Sequence, residues 1–159
     1  MRVPSSIRLA TIGVPLLACF ILVGAGLAPS LAAIAFKNAL DDTPLDVTPE
    51  PGETLTDAVK QFHETGVNPY DGNAEAIADG KLSYKSHCQL CHSDTLQGGA
   101  FGAPSLIDDQ VRHPRVVDDV GMFEVIYGGA AGAMAGFKGK LAQDQILKVI
   151  AYVRSMKQK

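Results

Sequence analysis

Tryptophan is absent from this sequence of 159 residues, and Phe and Tyr together make up only 6% of it. Cysteine is scarce as well. There are three, two of them three positions apart, which excludes a miniprotein stapled by disulfides. No acidic residue precedes Asp41, and no charge of either sign lies between Leu9 and Phe36. Arg2 and Arg8 are the basic residues of that opening, so residues 36–159 carry 12 Lys/Arg against all 17 Asp/Glu, a net of −5. An acidic body excludes a generic binder of phosphate backbones, which needs a basic surface. Alternating strand patterns and internal repeats are also missing. What is present is a length suited to one domain and a 47% hydrophobic fraction that argues against wholesale disorder.

Much of that hydrophobicity sits at one end. Residues 1–35 run from a positive start through a long apolar stretch to small residues, the order of a secretory signal. Ala33-Ile34-Ala35 is an A-x-A site, and cleavage before Phe36 is expected. The same run is long enough to span a bilayer if it is retained as an anchor, and Leu16-Leu17-Ala18-Cys19 weakly resembles a lipid-attachment box. All three readings put residues 36–159 outside the cytoplasm.

The remainder divides into an N-terminal arm with a short helix, 36–72, and a helical domain, 73–159. Pro44, Pro49, Pro51 and Gly52 make residues 37–53 an extended segment. Leu55, Ala58, Val59 and Phe62 fall at helical spacing, with Thr54 expected as the cap and Gly66 as the stop. A second helix is expected from about Asn73 to Ser86, with Gly80 in its middle. Gly there costs a helix up to ~1 kcal/mol and so calls for a packing explanation. Residues 93–115 read as irregular loop, Asp118–Tyr127 as a third helix and 128–139 as a Gly- and Ala-rich loop around Met134. The clearest helix runs from about Ala142 to Lys157, with Ile146, Val149, Ile150 and Val153 in one stripe. The fold class is all-α with long loops.

The chemistry concentrates in Cys88-Gln89-Leu90-Cys91-His92. C-x-x-C-H is the attachment signature of haem c. Two thiols separated by two residues reach the two vinyl groups on one porphyrin edge, and the following His is pinned beneath the iron. A structural zinc would want four ligands, usually from a second pair, and no other Cys follows Phe36. A thioredoxin-type thiol pair expects a βαβ setting, which is missing. A plain disulfide leaves His92 unexplained.

The opposite face of the iron then needs an occupant. Met122, Met134, Met156, His63, His87, His113 and the lysines are the candidates. Met122 and Met156 fall in helices, where a core role is expected, and His87 is too near His92 to reach the far face. Met134 lies well downstream in Gly132-Ala133-Met134-Ala135-Gly136, a small-residue loop able to lie flat on a porphyrin. His113 is the second choice and an open site the third. Met/His ligation leaves no coordination position for substrate and suits electron transfer. An open or displaceable site would suit a haem enzyme or a gas-binding module.

From about Asn73 to Lys157 the chain resembles the class I c-type cytochromes. The resemblance rests on Gly80 and Tyr84 ahead of Cys88-x-x-Cys91-His92, then Gly102-Ala103-Pro104, Met134, and a last helix with Tyr152. It implies crossed N- and C-terminal helices around one covalent haem c, Gly80 at the crossing, and Pro104 offering its carbonyl to His92. Glu64–Tyr70, Ala78–Lys81 and Gly121–Ala130 bring the chain nearest to cytochrome cL. That likeness implies a periplasmic electron carrier, not an enzyme. The implied donor is a PQQ-dependent methanol or alcohol dehydrogenase, and the acceptor a small cytochrome c or terminal oxidase. No nucleic acid is involved, and a membrane only if residues 1–35 are retained. Lys81, Lys85, Lys138 and Lys140 are candidates for a charged ring at the haem edge, against an ordinary solvated surface. Ala142 stands where the family would carry a Thr or Ser helix cap.

Overall fold

The computed structural model describes residues 33–108 and 114–157. The apolar run of the signal, Cys19 and His113 lie outside them. Among the described residues five α-helices follow in order: α1 Asp57–Thr65, α2 Ala74–His87, α3 Gln89–His92, α4 Asp119–Gly128 and α5 Gln143–Lys157. Short 3₁₀ turns at Ala100–Gly102 and Pro114–Val117 punctuate the long loop. Among the described residues pairing is limited to two isolated bridges, Lys37 with Pro44 and Gly129 with Ala135. None of the described helices is long and apolar enough to cross a membrane.

The helix ends follow from local chemistry. Asn73 caps α2 by accepting from the Ala76 N–H at 2.9 Å, and Asp118 caps α4 through the Gly121 N–H at 2.7 Å. Thr56, not Thr54, caps α1, accepting from the Val59 N–H at 3.3 Å. Its hydroxyl also donates to Asp144 of α5 at 2.8 Å, a partner that local pattern does not reveal. Gly66 ends α1 at φ 71°, where its N–H reaches the Phe62 carbonyl.

Packing of α2 across α5 organises the core. Ile146, Leu147, Val149, Ile150 and Val153 of α5 are buried, each contributing roughly 2 kcal/mol. At the crossing, a Cβ on Gly80 would stand 2.0 Å from the Lys148 carbonyl oxygen, so only glycine permits this approach. One turn on, Tyr84 packs on Tyr152 with ring centroids 5.4 Å apart. A second cluster gathers Phe36, Phe62 and Phe123 at centroid separations of 5.3–5.8 Å, with the His63 ring against them.

The N-terminal arm is fastened to this body. Phe36 is buried, and the Ile34 N–H donates to the His63 carbonyl. Gln143, fully buried, donates from its side-chain Nε2 to the Val47 carbonyl at 3.0 Å and accepts at Oε1 from His63 Nε2 at 2.8 Å. Its backbone N–H donates to Glu53 at 2.7 Å, while Gln145 reaches back to the Ala142 N–H. Glu53 and Gln145 thereby satisfy the first N–H groups of α5, and the carboxylate suits the positive end of the helix. Buried Glu124 of α4 accepts from the Lys37 N–H and from Arg115, which also pairs with Asp42.

Candidate cofactor site

The C-terminal end of α2 delivers Cys88, and α3 supplies Cys91 and His92 within its single turn. The turn is held by N–H groups of Cys91 and His92 that donate to the Cys88 carbonyl at 3.1 and 2.9 Å. Both cysteines carry free, half-buried thiols. Before haem is attached, burial, with Cys91 alongside, pushes the Cys88 thiol up to about 11. Tyr84 donates to the Ser93 carbonyl at 2.7 Å and ties α2 to the end of the turn.

His92 is buried, and its Nδ1 lies 3.1 Å from the Pro104 carbonyl oxygen. A carbonyl accepts only, so Nδ1 carries the hydrogen and Nε2 is left with its lone pair. Gly98 makes this arrangement possible. It sits at φ +75°, and a Cβ there would meet the Ala103 carbonyl at 2.3 Å and Pro104 at 2.6 Å. Its N–H also donates to the His92 carbonyl at 3.0 Å. Sequence reading left Gly98 as loop; its position six residues after His92 and six before Pro104 is the available signal.

These groups face a cavity of about 540 Å³. Cys88, Cys91, His92 and Met134 all line it. Met134 is carried on a hairpin closed by the Gly129–Ala135 bridge and by the Ala130 N–H donating to the Met134 carbonyl at 3.0 Å. The walls are mainly apolar, with Leu106, Val125, Ile126, Val149 and Val153 among them.

The other candidates separate clearly. Met122 is buried in the core as expected and also lines the cavity, whereas Met156 packs beside the core away from it. His63 is spent in the Phe36–Phe62–Phe123 cluster. His87 borders the cavity, bonded through Nδ1 to the Ser83 carbonyl and edge-on to Phe137. Of the four lysines considered for the rim, Lys140 lines the cavity and Lys138 is held by Asp46 and Glu50 of the arm. Lys81 and Lys85 do not border it. Among the described residues no three His, Cys, Asp or Glu converge as a metal site.

An apolar cavity bordered by paired free thiols, an oriented imidazole and a thioether fits a covalently held porphyrin. Comparison with known proteins points the same way. The family "Cytochrome C oxidase, cbb3-type, subunit III" matches residues 75–153. Cytochrome c-L of Methylorubrum extorquens is 34% identical over 124 residues, covering 77% of this chain. The chain spans 62% of that relative's length. Cytochrome cL of Methylophaga aminisulfidivorans superposes with a TM-score of 0.73 at 35% identity, covering 77% of this chain and 80% of that one. Cytochrome cL of Hyphomicrobium denitrificans gives 0.72 at 38% identity, over 77% and 73%. With its crossed α2 and α5, its all-α architecture and these relatives, the chain belongs to the class I c-type cytochromes, is most like the cytochrome cL proteins, and carries a single covalent haem c.

Proposed function

We propose that this protein is a periplasmic carrier of single electrons. In this reading Cys88 and Cys91 hold the haem by thioether bonds, and His92 and Met134 are the axial ligands. Its donor is a PQQ-dependent methanol or alcohol dehydrogenase, and its acceptor a smaller cytochrome c or a terminal oxidase. The carrying observation is that both thiols, His92 and Met134 border one mainly apolar cavity, with the outer nitrogen of His92 engaged by Pro104.

The haem iron, when bound, supplies the one-electron ferric/ferrous couple. The chain's residues set the conditions for it. The Pro104 carbonyl fixes the plane of the His92 ring and raises its basicity. The hairpin of residues 129–135 keeps Met134 against the cavity, and a thioether ligand favours the reduced state and a high potential. With His92 and Met134 both holding the iron, no position on it would remain for substrate. Apolar walls exclude water, so little solvent reorganises as the charge changes. The net acidic charge beyond residue 35 steers a partner with a positive patch, an effect that salt weakens.

Export by residues 1–35 accounts for the periplasmic assignment, with processing between Ala35 and Phe36. Stopped-flow reduction of the ferric protein by a quinoprotein methanol dehydrogenase tests the donor. Rapid reduction that slows as salt is raised is expected. Sluggish, salt-insensitive reduction would remove the dehydrogenase as donor.

A further inference from the structure

Nine of the twelve residues at positions 128–139, the stretch around Met134, are Gly or Ala. Such a segment loses much conformational freedom on ordering and offers little side chain with which to fix itself. Three larger side chains remain, Met134, Phe137 and Lys138. Met134 and Phe137 border the cavity. Lys138 is engaged by the N-terminal arm instead. Its Nζ donates to the Asp46 backbone carbonyl and to Asp46 Oδ2, both at 3.0 Å, and lies 3.7 Å from Glu50 Oε1. The ammonium also stands 5.8 Å from the centre of the buried Tyr127 ring.

The arm is itself secured at this point. The Val47 carbonyl accepts from the side chain of buried Gln143, and Glu53 accepts from the Gln143 N–H, so the segment is tied to the start of α5. The Thr48 N–H orients Asp46 by donating to its other oxygen at 2.9 Å. The arm meets the beginning of the loop as well, for a Cβ on Gly128 would stand 3.2 Å from both Asn38 Oδ1 and Leu45 Cδ1. Within the backbone, the Phe137 and Lys138 N–H groups donate to the Ile126 and Tyr127 carbonyls at 3.0 Å. The two stems of the Met134 loop are thus held to each other and to one strap.

We propose that Lys138 is a positioning residue for Met134. Gripped by Asp46 and Glu50, it fixes the end of the loop and keeps the thioether at the iron against competing ligands. This rests on the reading that Met134 ligates the haem. A thioether ligand favours the reduced state, so its hold is weaker on ferric iron and loosening shows there first. That hold depends on how closely the loop confines the sulfur, which is an effective concentration. Freeing one end of a Gly- and Ala-rich loop lowers it without removing any side chain that borders the cavity.

The test is displacement of Met134 by imidazole in the haem-loaded ferric protein, followed by absorption at constant pH and ionic strength. Lys138→Gln should bind imidazole about threefold more tightly than the wild type, the scale of a partly exposed ion-pair network. Lys138→Arg should restore the wild-type affinity. Asp46→Asn combined with Glu50→Gln releases the grip from the arm and should act in the same direction, by less because the Asp46 carbonyl remains. All three changes together should do no more than Lys138→Gln alone, since they remove one interaction. Unchanged imidazole affinity in Lys138→Gln, whatever its melting temperature, would overturn the proposal and leave these ion pairs a fastening of the arm alone. So would full additivity of the arm and loop substitutions. Met134→Ala addresses the reading beneath: a ferric spectrum identical to that of the wild type would remove Met134 from the iron, and the proposal with it.

Discussion

Gly80→Ala tests the geometry that positions the haem-attachment turn. A Cβ at this position would lie 2.0 Å from the Lys148 carbonyl oxygen, 2.5 Å from its carbon and 3.0 Å from the Val149 nitrogen. All three obstacles are backbone, so no side chain can rotate aside. The helices α2 and α5 must therefore part by about 1 Å in a close-packed interior. Overpacking of this kind costs roughly 1–3 kcal/mol, and contact with rigid backbone belongs at the upper end. Against it, Ala in a helix interior is favoured over Gly by up to about 1 kcal/mol. The balance is a loss of about 2 kcal/mol, which lowers the melting temperature by roughly 8 °C in a domain of this size. Thermal unfolding of the ferric protein, followed by circular dichroism, reads this directly. An unchanged or higher melting temperature would refute the argument that glycine is required by the crossing.

Three further outcomes follow from the structure. Phe101 is held at φ 53°, a left-handed backbone that favours glycine, and borders the cavity; Phe101→Gly relieves that strain but gives up most of the gain to the greater freedom of glycine in the unfolded chain, so stability should change by less than about 1 kcal/mol, and a larger shift of the denaturation midpoint in either direction would contradict this. Glu124→Ala strips buried partners from Arg115 and the Lys37 N–H, and urea titration should show a loss of about 3 kcal/mol, the lower end for a broken buried pair because Arg115 keeps Asp42. Burial holds the His63 pKa below its ordinary 6.5, opposed by Gln143 and Glu53. The unfolded chain therefore binds this proton more readily, so its contribution to stability is present above about pH 6.5 and is lost as pH falls toward the folded value. His63→Gln should flatten that part of the pH–stability curve, and a curve unaltered by the substitution would count against it.

What was legible in the sequence is what short-range pattern encodes. The stripe of Ile146, Val149, Ile150 and Val153 specifies α5, and all four are buried. The five residues from Cys88 to His92 bring the thiols and the imidazole into one turn because their spacing allows nothing else. Gly80, an unfavourable residue for a helix, called for a packing explanation, and the resemblance to the class I cytochromes implied the crossing with α5, where the Lys148 carbonyl leaves no room for a Cβ. The arm was read only as extended, because its attachments depend on polar partners about ninety positions away, such as Glu53 with Gln143 and Lys37 with Glu124. Thr54 and Thr56 both suit a helix start, and the choice falls to Thr56, which also meets Asp144 of α5. The missing hydroxyl at Ala142 is made good by Glu53 and Gln145, which supply the same hydrogen-bond acceptors from elsewhere. Gly98 escaped notice since a positive φ and a close carbonyl are visible only once the loop is folded.

Intact-mass and peptide mass spectrometry of the protein, exported with the haem-attachment machinery, bears most directly on the central claim. The account predicts one haem per chain, carried on the peptide that contains Cys88 and Cys91 and retained under denaturing conditions. A polypeptide of unmodified mass, or a haem-free peptide spanning Cys88 to His92, would contradict it.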